Sequence, residues 1–419
     1  MSNTTLTADI IAKEAVMILE NNLVMGNLVY RGYENEFSKN VNGYTVGETI
    51  SIRRPADFTV REGSTADAQD VVEGKTTLTV DKVRGVDFKF TSTDLTLQIG
   101  QLSERVIKPA MIQLANKIDV ELMSLYKQVA NHVTIPSGGM DSFADFALAP
   151  TIMDKFAIPQ DDRKAVLTPT DKWALLGNQT SLYVQDVARD AYRRGSLGMI
   201  GGIDTYMDQN TPWHTTGTRT GTDLVDQSIV DGTYTWASYK NADTAIIHID
   251  GTAATTSTIK EGDTFTISGV YEVNPVTKAT TGVLKKFVAR ADFTAASSEG
   301  DLTFWPPIIL SGAHQNAYAD LSSDTDINDN TVTYQGVAST AYQQNLFFHK
   351  NAFALATVPM VTPPGAVDVG RRTYKGISVR VIPFYDGIND VSTWRLDVLF
   401  GCKAIDPRLA VRASLAADI

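Results

Sequence analysis

The sequence predicts an α+β fold built around one long amphipathic helix. Three observations carry this. Between Leu102 and Val129, Ile107, Met111, Leu114, Ile118, Leu122, Leu125 and Val129 recur at steps of four and three, which puts them on one side of a helix. From Thr49 to Phe90, apolar and polar residues alternate as in an extended ribbon. From Thr211 to about Tyr342 the chain becomes rich in Thr, Ser, Asp and Gly, with short strand patterns at even spacing, as in a small antiparallel barrel or sandwich.

Residues 1–43 read as an arm. Thr7 is placed to cap a helix from Ala8 to about Asn21, with Ile10, Ile11, Ala15, Ile18 and Leu19 as its apolar face. Asn27 to Asn42 mixes Tyr30, Tyr33 and Phe37 with charges, without a period, so it should pack on something else. Residues 44–91 read as a long hairpin. Ile50 and Ile52 alternate with Ser51 and Arg53, and Leu78, Val80, Val86, Phe88 and Phe90 share one side of the return strand. A return strand of about 14 residues spans about 45 Å. A two-stranded ribbon that long is marginal alone, and its apolar cover is expected from a second copy of the chain. The tip, Ala56 to Gly74, is polar and acidic apart from Arg61.

The spine lies in residues 92–140. About 20 residues of helix reach about 30 Å. Pro109 requires the regular helix to begin near it or to bend there. Gln113, Asn116, Lys117, Glu121, Ser124 and Gln128 form the expected wet side. Residues 141–210 read as mixed α/β. The expected elements are a helix at Ser142–Phe156, a buried strand at Ala165–Leu167, a helix at Thr170–Leu176 capped by Thr170, and another at Leu182–Tyr192. Gly195, Gly198, Gly201 and Gly202 then mark a turn-rich loop.

In residues 211–342, strands are expected at Thr233–Tyr239, Thr244–Ile249, Thr264–Val273, Val283–Phe293, Thr303–Ile309 and Val332–Val337. This block reads as an inserted domain, because helical and mixed patterning returns at Asn345–Ala356, within residues 343–370. In residues 371–419, Ile377, Val379 and Val381 alternate in one strand, and Trp394, Leu396, Val398 and Phe400 in the next, across Asp386-Gly387. Ala404 to Arg412 reads as a final edge strand.

A chain of 419 residues has room for two or three domains, and 43% hydrophobic content supplies their cores. A net charge of −11 argues against tight sequence-independent binding of nucleic acid. Cys402 is the only cysteine, which excludes an intramolecular disulfide, nearly excludes a Cys-based zinc site within one chain, and suits a reducing compartment. Met1–Leu19 lacks the basic region of a secretory signal, and no apolar run is long enough for a membrane helix.

No sequence signature of a hydrolase, nucleotide-binding loop or metalloprotease is present. The five histidines, at positions 132, 214, 248, 314 and 349, are scattered and read as structural or surface residues. No catalytic, cofactor or metal residue is expected. Asp324-x-Asp326-x-Asn328 has the first half of a calcium loop. It carries Asp329 and Gln335 where the turn glycine and bidentate glutamate belong, so it reads as a solvated acidic loop. Lys285, Lys286 and Arg290 read as one solvated face. Arg371, Arg372 and Lys375 follow Pro363-Pro364. They are either a solvated loop or a docking point for the arm carrying Asp57, Arg61, Glu62 and Asp67 of another copy.

The order of these parts resembles tailed-bacteriophage major capsid proteins of the Hong Kong 97 fold, and more narrowly short-tailed-phage coat proteins with an insertion domain. The matching stretches are Gln113-Leu114-Ala115-Asn116-Lys117-Ile118-Asp119-Val120-Glu121-Leu122 in the spine and Lys260-Glu261-Gly262-Asp263-Thr264-Phe265-Thr266-Ile267-Ser268-Gly269-Val270 in the barrel. Ala317-Tyr318-Ala319-Asp320 and Asn345-Leu346-Phe347-Phe348-His349 follow. The resemblance implies a structural protein, not an enzyme. Its copies would form hexamers and pentamers that close an icosahedral shell around double-stranded DNA in the host cytoplasm, with a scaffolding protein and a portal as partners. It further implies that residues 44–91 lie over a neighbouring subunit, that residues 141–210 point to the capsomer axis, and that 211–342 form an inserted β-barrel. An encapsulin-like compartment shell shares the fold, and a hydrolase with a β-rich binding insertion is the alternative from another class.

Overall fold

The computed structural model describes residues 8–37, 40–41, 44–45, 47–61, 63–65, 68–91, 103–136, 139–179, 198–253, 256–320, 326–363 and 369–415. They form two compact units, each drawing on several stretches of sequence. One holds residues 1–50, 77–123 and 353–403, the other residues 51–76, 124–352 and 404–419.

In the first unit the spine helix runs Lys108–Met123, preceded by a π-helical turn at Ser103–Ile107. Pro109 thus sits in the first turn, where its missing N–H is not needed. Ile107, Met111, Leu114, Ile118 and Leu122 are buried as their spacing requires. Glu121, expected on the wet side, is buried too. It meets Lys82 Nζ at 3.1 Å and Arg84 Nε at 2.6 Å, and these cations hold its carboxyl below the ordinary value although burial alone would raise it. Two cations at hydrogen-bond distance give a glutamate on an otherwise polar face a reason to go inside.

The N-terminal helix, Ala8–Asn22, buries Ile11, Ala15, Val16 and Leu19. It packs on the spine helix and on the strands Gly370–Tyr374 and Ile377–Asp386. A Cβ at Gly370 would collide with the Ala8 carbonyl, so the helix can sit down there only over glycine. The expected cap, Thr7, lies outside the described residues. The arm therefore finds its cover within its own chain, contrary to expectation.

The long ribbon is also cut short. Thr49–Arg54 pairs with Gly74–Thr79, the return strand breaks at Val80-Asp81, and Lys82–Thr91 leaves the hairpin to pair antiparallel with Val391–Ala404, Thr91 opposite Val391 and Lys82 opposite Phe400. That return strand thus enters a five-stranded sheet of the same chain, ordered Phe353–Val358, Val391–Ala404, Ile377–Asp386, Gly370–Tyr374, with Lys82–Thr91 on the long strand and Val86, Phe88 and Phe90 half-buried. Alternation had predicted that hairpin, and Ile377, Val379, Val381, Leu396, Val398 and Phe400 are all fully buried.

The second unit contains two larger sheets. A mixed sheet runs in the order His132–Ile135, Ala410–Leu415, Ala341–His349, Arg163–Leu167, Ile203–Met207, Met199–Ile200, and Trp213–Thr215 also pairs with Ala341–His349. Ala410–Leu415 is an internal strand, not the expected edge: it pairs parallel with His132–Ile135 and antiparallel with Ala341–His349. The stretch expected to return to helix, Asn345–Ala356, is mostly strand, because continuous apolar runs such as Leu346-Phe347-Phe348 suit a strand buried on both faces as well as a helix.

The helices Phe143–Lys155 and Pro169–Gln179 pack on one side of this sheet through Phe146, Ala149, Met153, Leu175 and Leu176. Ser142 closes the first with a capping box. Thr168, not Thr170, caps the second, by accepting from Asp171 N at 3.1 Å. The expected helix at 182–192 and Gly195 lie outside the described residues. Gly201 and Gly202 take positive φ in the tight turn joining Met199–Ile200 to Ile203–Met207.

The Thr-rich block folds into a seven-stranded antiparallel sheet ordered Gly221–Val225, Ala245–Thr252, Gly300–Trp305, Thr280–Ala289, Thr264–Val273, Ala317–Ala319, with Val332–Tyr334 also on Thr264–Val273. It is nearly closed: Val225 N donates to Asn330 O at 3.0 Å and Asp329 N to Val225 O at 2.7 Å, bringing the first strand beside the last. Phe265, Phe287 and Phe304 fill it, with ring centroids 5.5 to 6.3 Å apart. Two expectations fail. Thr233–Tyr239 is not a strand but a helical turn at Trp236–Tyr239, capped by Thr235. Lys285 and Lys286 are not solvated: Lys285 Nζ donates to Asn316 O at 2.6 Å and burial pulls its pKa down to about 8, while Lys286 Nζ donates to His132 O at 2.5 Å. In the calcium-like loop, Asp324 lies outside the described residues. Asp326 accepts from Asn328 N at 3.2 Å, an ordinary turn that sends Ile327 into the core.

Candidate assembly surfaces

The extended loop between Arg54 and Gly74 is fastened at its base inside the second unit. Thr235 caps the turn that presents Trp236, whose indole N–H donates to Val72 O at 2.9 Å. Arg54 meets Asp243 at 2.5 Å, and Lys75 N donates to Asn241 Oδ1 at 2.9 Å. His314 stacks on Trp236 with centroids 3.8 Å apart and reaches the Asp57 carboxylate at 3.2 Å. Burial lowers the His314 pKa and Asp57 only partly restores it. At neutral pH this contact is a hydrogen bond more than an ion pair.

Beyond that base the loop leaves apolar side chains in solvent. Phe58 and Val71 are exposed, and Val60 is 95% exposed. Arg61 turns back on its own loop, donating to the carbonyls of Gly63 and Thr65. Glu62 and Asp67 lie outside the described residues. A second projection is the turn between Ile377–Asp386 and Val391–Ala404 in the first unit. The Asp386 carboxylate accepts from Ile388 N at 3.0 Å and Asn389 Nδ2 at 2.6 Å, fixing a turn that holds Phe384, Tyr385 and Ile388 outward, Ile388 at 94% exposure. Sequence reasoning used Asp386-Gly387 only as a turn signal. The apolar residues on either side of it were the available signal of an apolar tip.

The basic cluster is occupied at home. Arg372 pairs with Asp9 and Lys375 Nζ meets Glu20 Oε1 at 2.8 Å, both on the N-terminal helix, while Arg371 donates to Met360 O at 3.1 Å. Asp57 and Arg61 belong to the second unit and these three cations to the first. Asp119, which no pattern singled out, is a positioning residue. Its carboxylate accepts from Val24 N at 2.8 Å and Gly26 N at 2.9 Å and so fixes the bend of the arm after its helix. The signal available was an acid on a helix face otherwise made of Leu114, Ala115, Ile118 and Leu122.

Among the described residues, Asp226, His248 and Glu299 bring three ligand atoms within 4.8 Å of one another. The His248 Nδ1 is held by Asp301 at 2.7 Å, and that hydrogen bond and the surrounding carboxylates raise its pKa. Such a cluster stabilises an imidazolium as it stands. No described helix is long and apolar enough to cross a membrane.

Residues 1–412 match the model of the P22 coat protein family (P22 coat protein, gene protein 5). The chain is 23% identical over 391 residues to the major capsid protein of Acyrthosiphon pisum secondary endosymbiont phage 1, covering 89% of this chain and 90% of the relative. A solved structure from Mycobacterium phage Che8 is similar in fold, with TM-score 0.50 and 14% identity over 93% of this chain and 90% of that one. The capsid structure of cyanophage P-SCSP1u aligns over the whole of both chains with TM-score 0.44 and 11% identity. The chain belongs to the P22 coat protein family and is a structural coat protein of a phage, not an enzyme.

Proposed function

We propose that this coat protein has the Hong Kong 97 fold with residues 211–342 as an inserted barrel, and that its copies meet through two apolar projections, the extended loop and the Phe384–Ile388 turn. The observation that carries this is the near-complete exposure of Val60 and Ile388 on elements whose own bases are firmly bonded. A rigid projection ending in an aliphatic side chain loses free energy in water and regains it on a neighbour. In the shell these projections link subunits into hexamers and pentamers, assembled in the host cytoplasm with a scaffolding protein and a portal. The acidic chain then encloses double-stranded DNA without gripping it. Asp57, Arg61, Glu62, Asp67, Arg371, Arg372 and Lys375 act as the charges that set register. Arg372 and Lys375 do so only by exchanging partners with Asp9 and Glu20.

The test is Val60→Asp with Ile388→Asp, assembled in the presence of scaffold and viewed by negative stain. The expected result is a protein that melts like the parent and forms no closed shells. Normal shells would remove the projections from the assembly mechanism. Deleting residues 56–74 should likewise leave a folded chain that does not assemble.

A further inference from the structure

The mixed sheet of the second unit has two unlike faces. Val411 and Ala413 on Ala410–Leu415, Val133 and Ile135 on His132–Ile135, and Phe347 on Ala341–His349 join the helices in an apolar core. The alternate residues, Arg412 and Ser414, His132 and Thr134, and Gln344, face the other way. Apart from the exposed Thr134, that second face is polar and yet covered. Arg412 and Gln344 are each 2% exposed, and the Lys260–Thr264 turn of the nearly closed sheet lies over them.

The charges on this face do not balance. Asp263 is fully buried. It accepts from His214 Nε2 at 2.8 Å and from the backbone N–H of Lys260 and Gly217, and meets Arg219 Nη2 at 2.6 Å. Burial alone would raise its carboxyl, but these donors more than offset that and hold it at about 2. Asp263 and Arg219 therefore neutralise each other.

Arg412 has no carboxylate of its own. Its Nη2 donates to Gly262 O at 2.5 Å and its face lies 5.8 Å from the Tyr126 ring. Its Nε and Nη1 are buried and bond no described residue. His132 stands directly opposite Arg412 in the parallel register. The His132 Nε2 meets Ser414 Oγ at 2.7 Å, leaving Nδ1 also without a partner. With the Ser414 hydroxyl donating to Nε2, Nδ1 carries the proton and is a third donor. Arg412 and His132, with Gln344 and Ser414, are among the residues that line a pocket of about 20 Å³, room for one small ion or one water.

We propose that this pocket binds one inorganic anion of halide size, held by Arg412 Nε and Nη1 and His132 Nδ1. A halide supplies the missing negative charge and takes the unspent donors together, where a buried cation would otherwise go uncompensated. It joins the polar face of the mixed sheet to the turn of the nearly closed sheet. The competing occupant is a water, which would also serve Gln344 Oε1, the acceptor on this face without a partner.

The test is thermal melting of the full chain in sodium chloride, bromide or gluconate at matched ionic strength. Chloride and bromide should give a saturating rise of about 3 °C over gluconate, and Arg412→Met should abolish it. Superimposed chloride and gluconate curves, or a halide response that survives Arg412→Met, would overturn the proposal in favour of water. Should Arg412→Met not fold, ³⁵Cl line broadening by the parent chain decides. Broadening competed away by bromide supports the site, and a line width insensitive to the protein refutes it.

Discussion

The two large antiparallel sheets of this protein are built in opposite ways. The nearly closed sheet takes all of its strands and its whole aromatic core from residues 221–334. The five-stranded sheet joins Lys82–Thr91 to strands that lie after residue 352, some 300 residues later. The first gains its contacts at small sequence separation, the second only after a very long loop has closed. The difference teaches which part of the coat protein can stand alone and which depends on the complete chain.

The largest expected effect is all-or-none. A fragment of residues 221–334 should give dispersed amide spectra and a cooperative melt, whereas residues 353–404 expressed without Lys82–Thr91 should give neither. An unfolded 221–334 fragment would show that the nearly closed sheet leans on the rest of its unit.

Within the full chain, Asp263→Asn should cost about 3–5 kcal/mol in urea unfolding, because it leaves Arg219 buried without its counter-charge. Asp119→Ala in the other unit should cost less, about 1–3 kcal/mol, by stranding the N–H groups of Val24 and Gly26. Equal costs would mean that the arm's bend is as deeply built in as the buried pair.

Acid should act on the second unit in two stages. The folded pKa values of His132 and His214 are lowered, mainly by burial. Their contribution is complete above the unfolded value near 6.5 and falls as pH drops below it. Asp263 is depressed to about 2, so its share, roughly 2 kcal/mol, is complete above about 4 and is lost between there and 2. A melting temperature that stays flat from pH 7 to 5 would argue against neutral buried imidazoles. The smallest effect belongs to Arg372→Ala. Its exposed pair with Asp9 should leave the melting temperature unchanged within error.

Several elements could be read directly from residue spacing. The spine helix followed from the 107–122 periodicity and began where Pro109 required. Thr264–Val273 was placed to the residue, and the C-terminal hairpin followed from its alternation. Errors came where two structures share one pattern. Leu346-Phe347-Phe348 could not separate a strand buried on both faces from a helix, and Thr-rich 233–239 had a strand's composition but Thr235 had a cap's chemistry.

What the sequence determined by itself was local: periodicity fixes which side of a helix or strand is apolar, because that depends only on the backbone repeat. What the tertiary structure decided was who covers each apolar side and where each charge goes. The arm and the strand Lys82–Thr91 were expected on a neighbouring copy and lie instead on their own chain. Glu121, Lys285 and Arg412 carry charges that composition assigns to water and packing places inside. Partners from about 30 to 150 residues away set the free energy of those burials, and no local pattern records them.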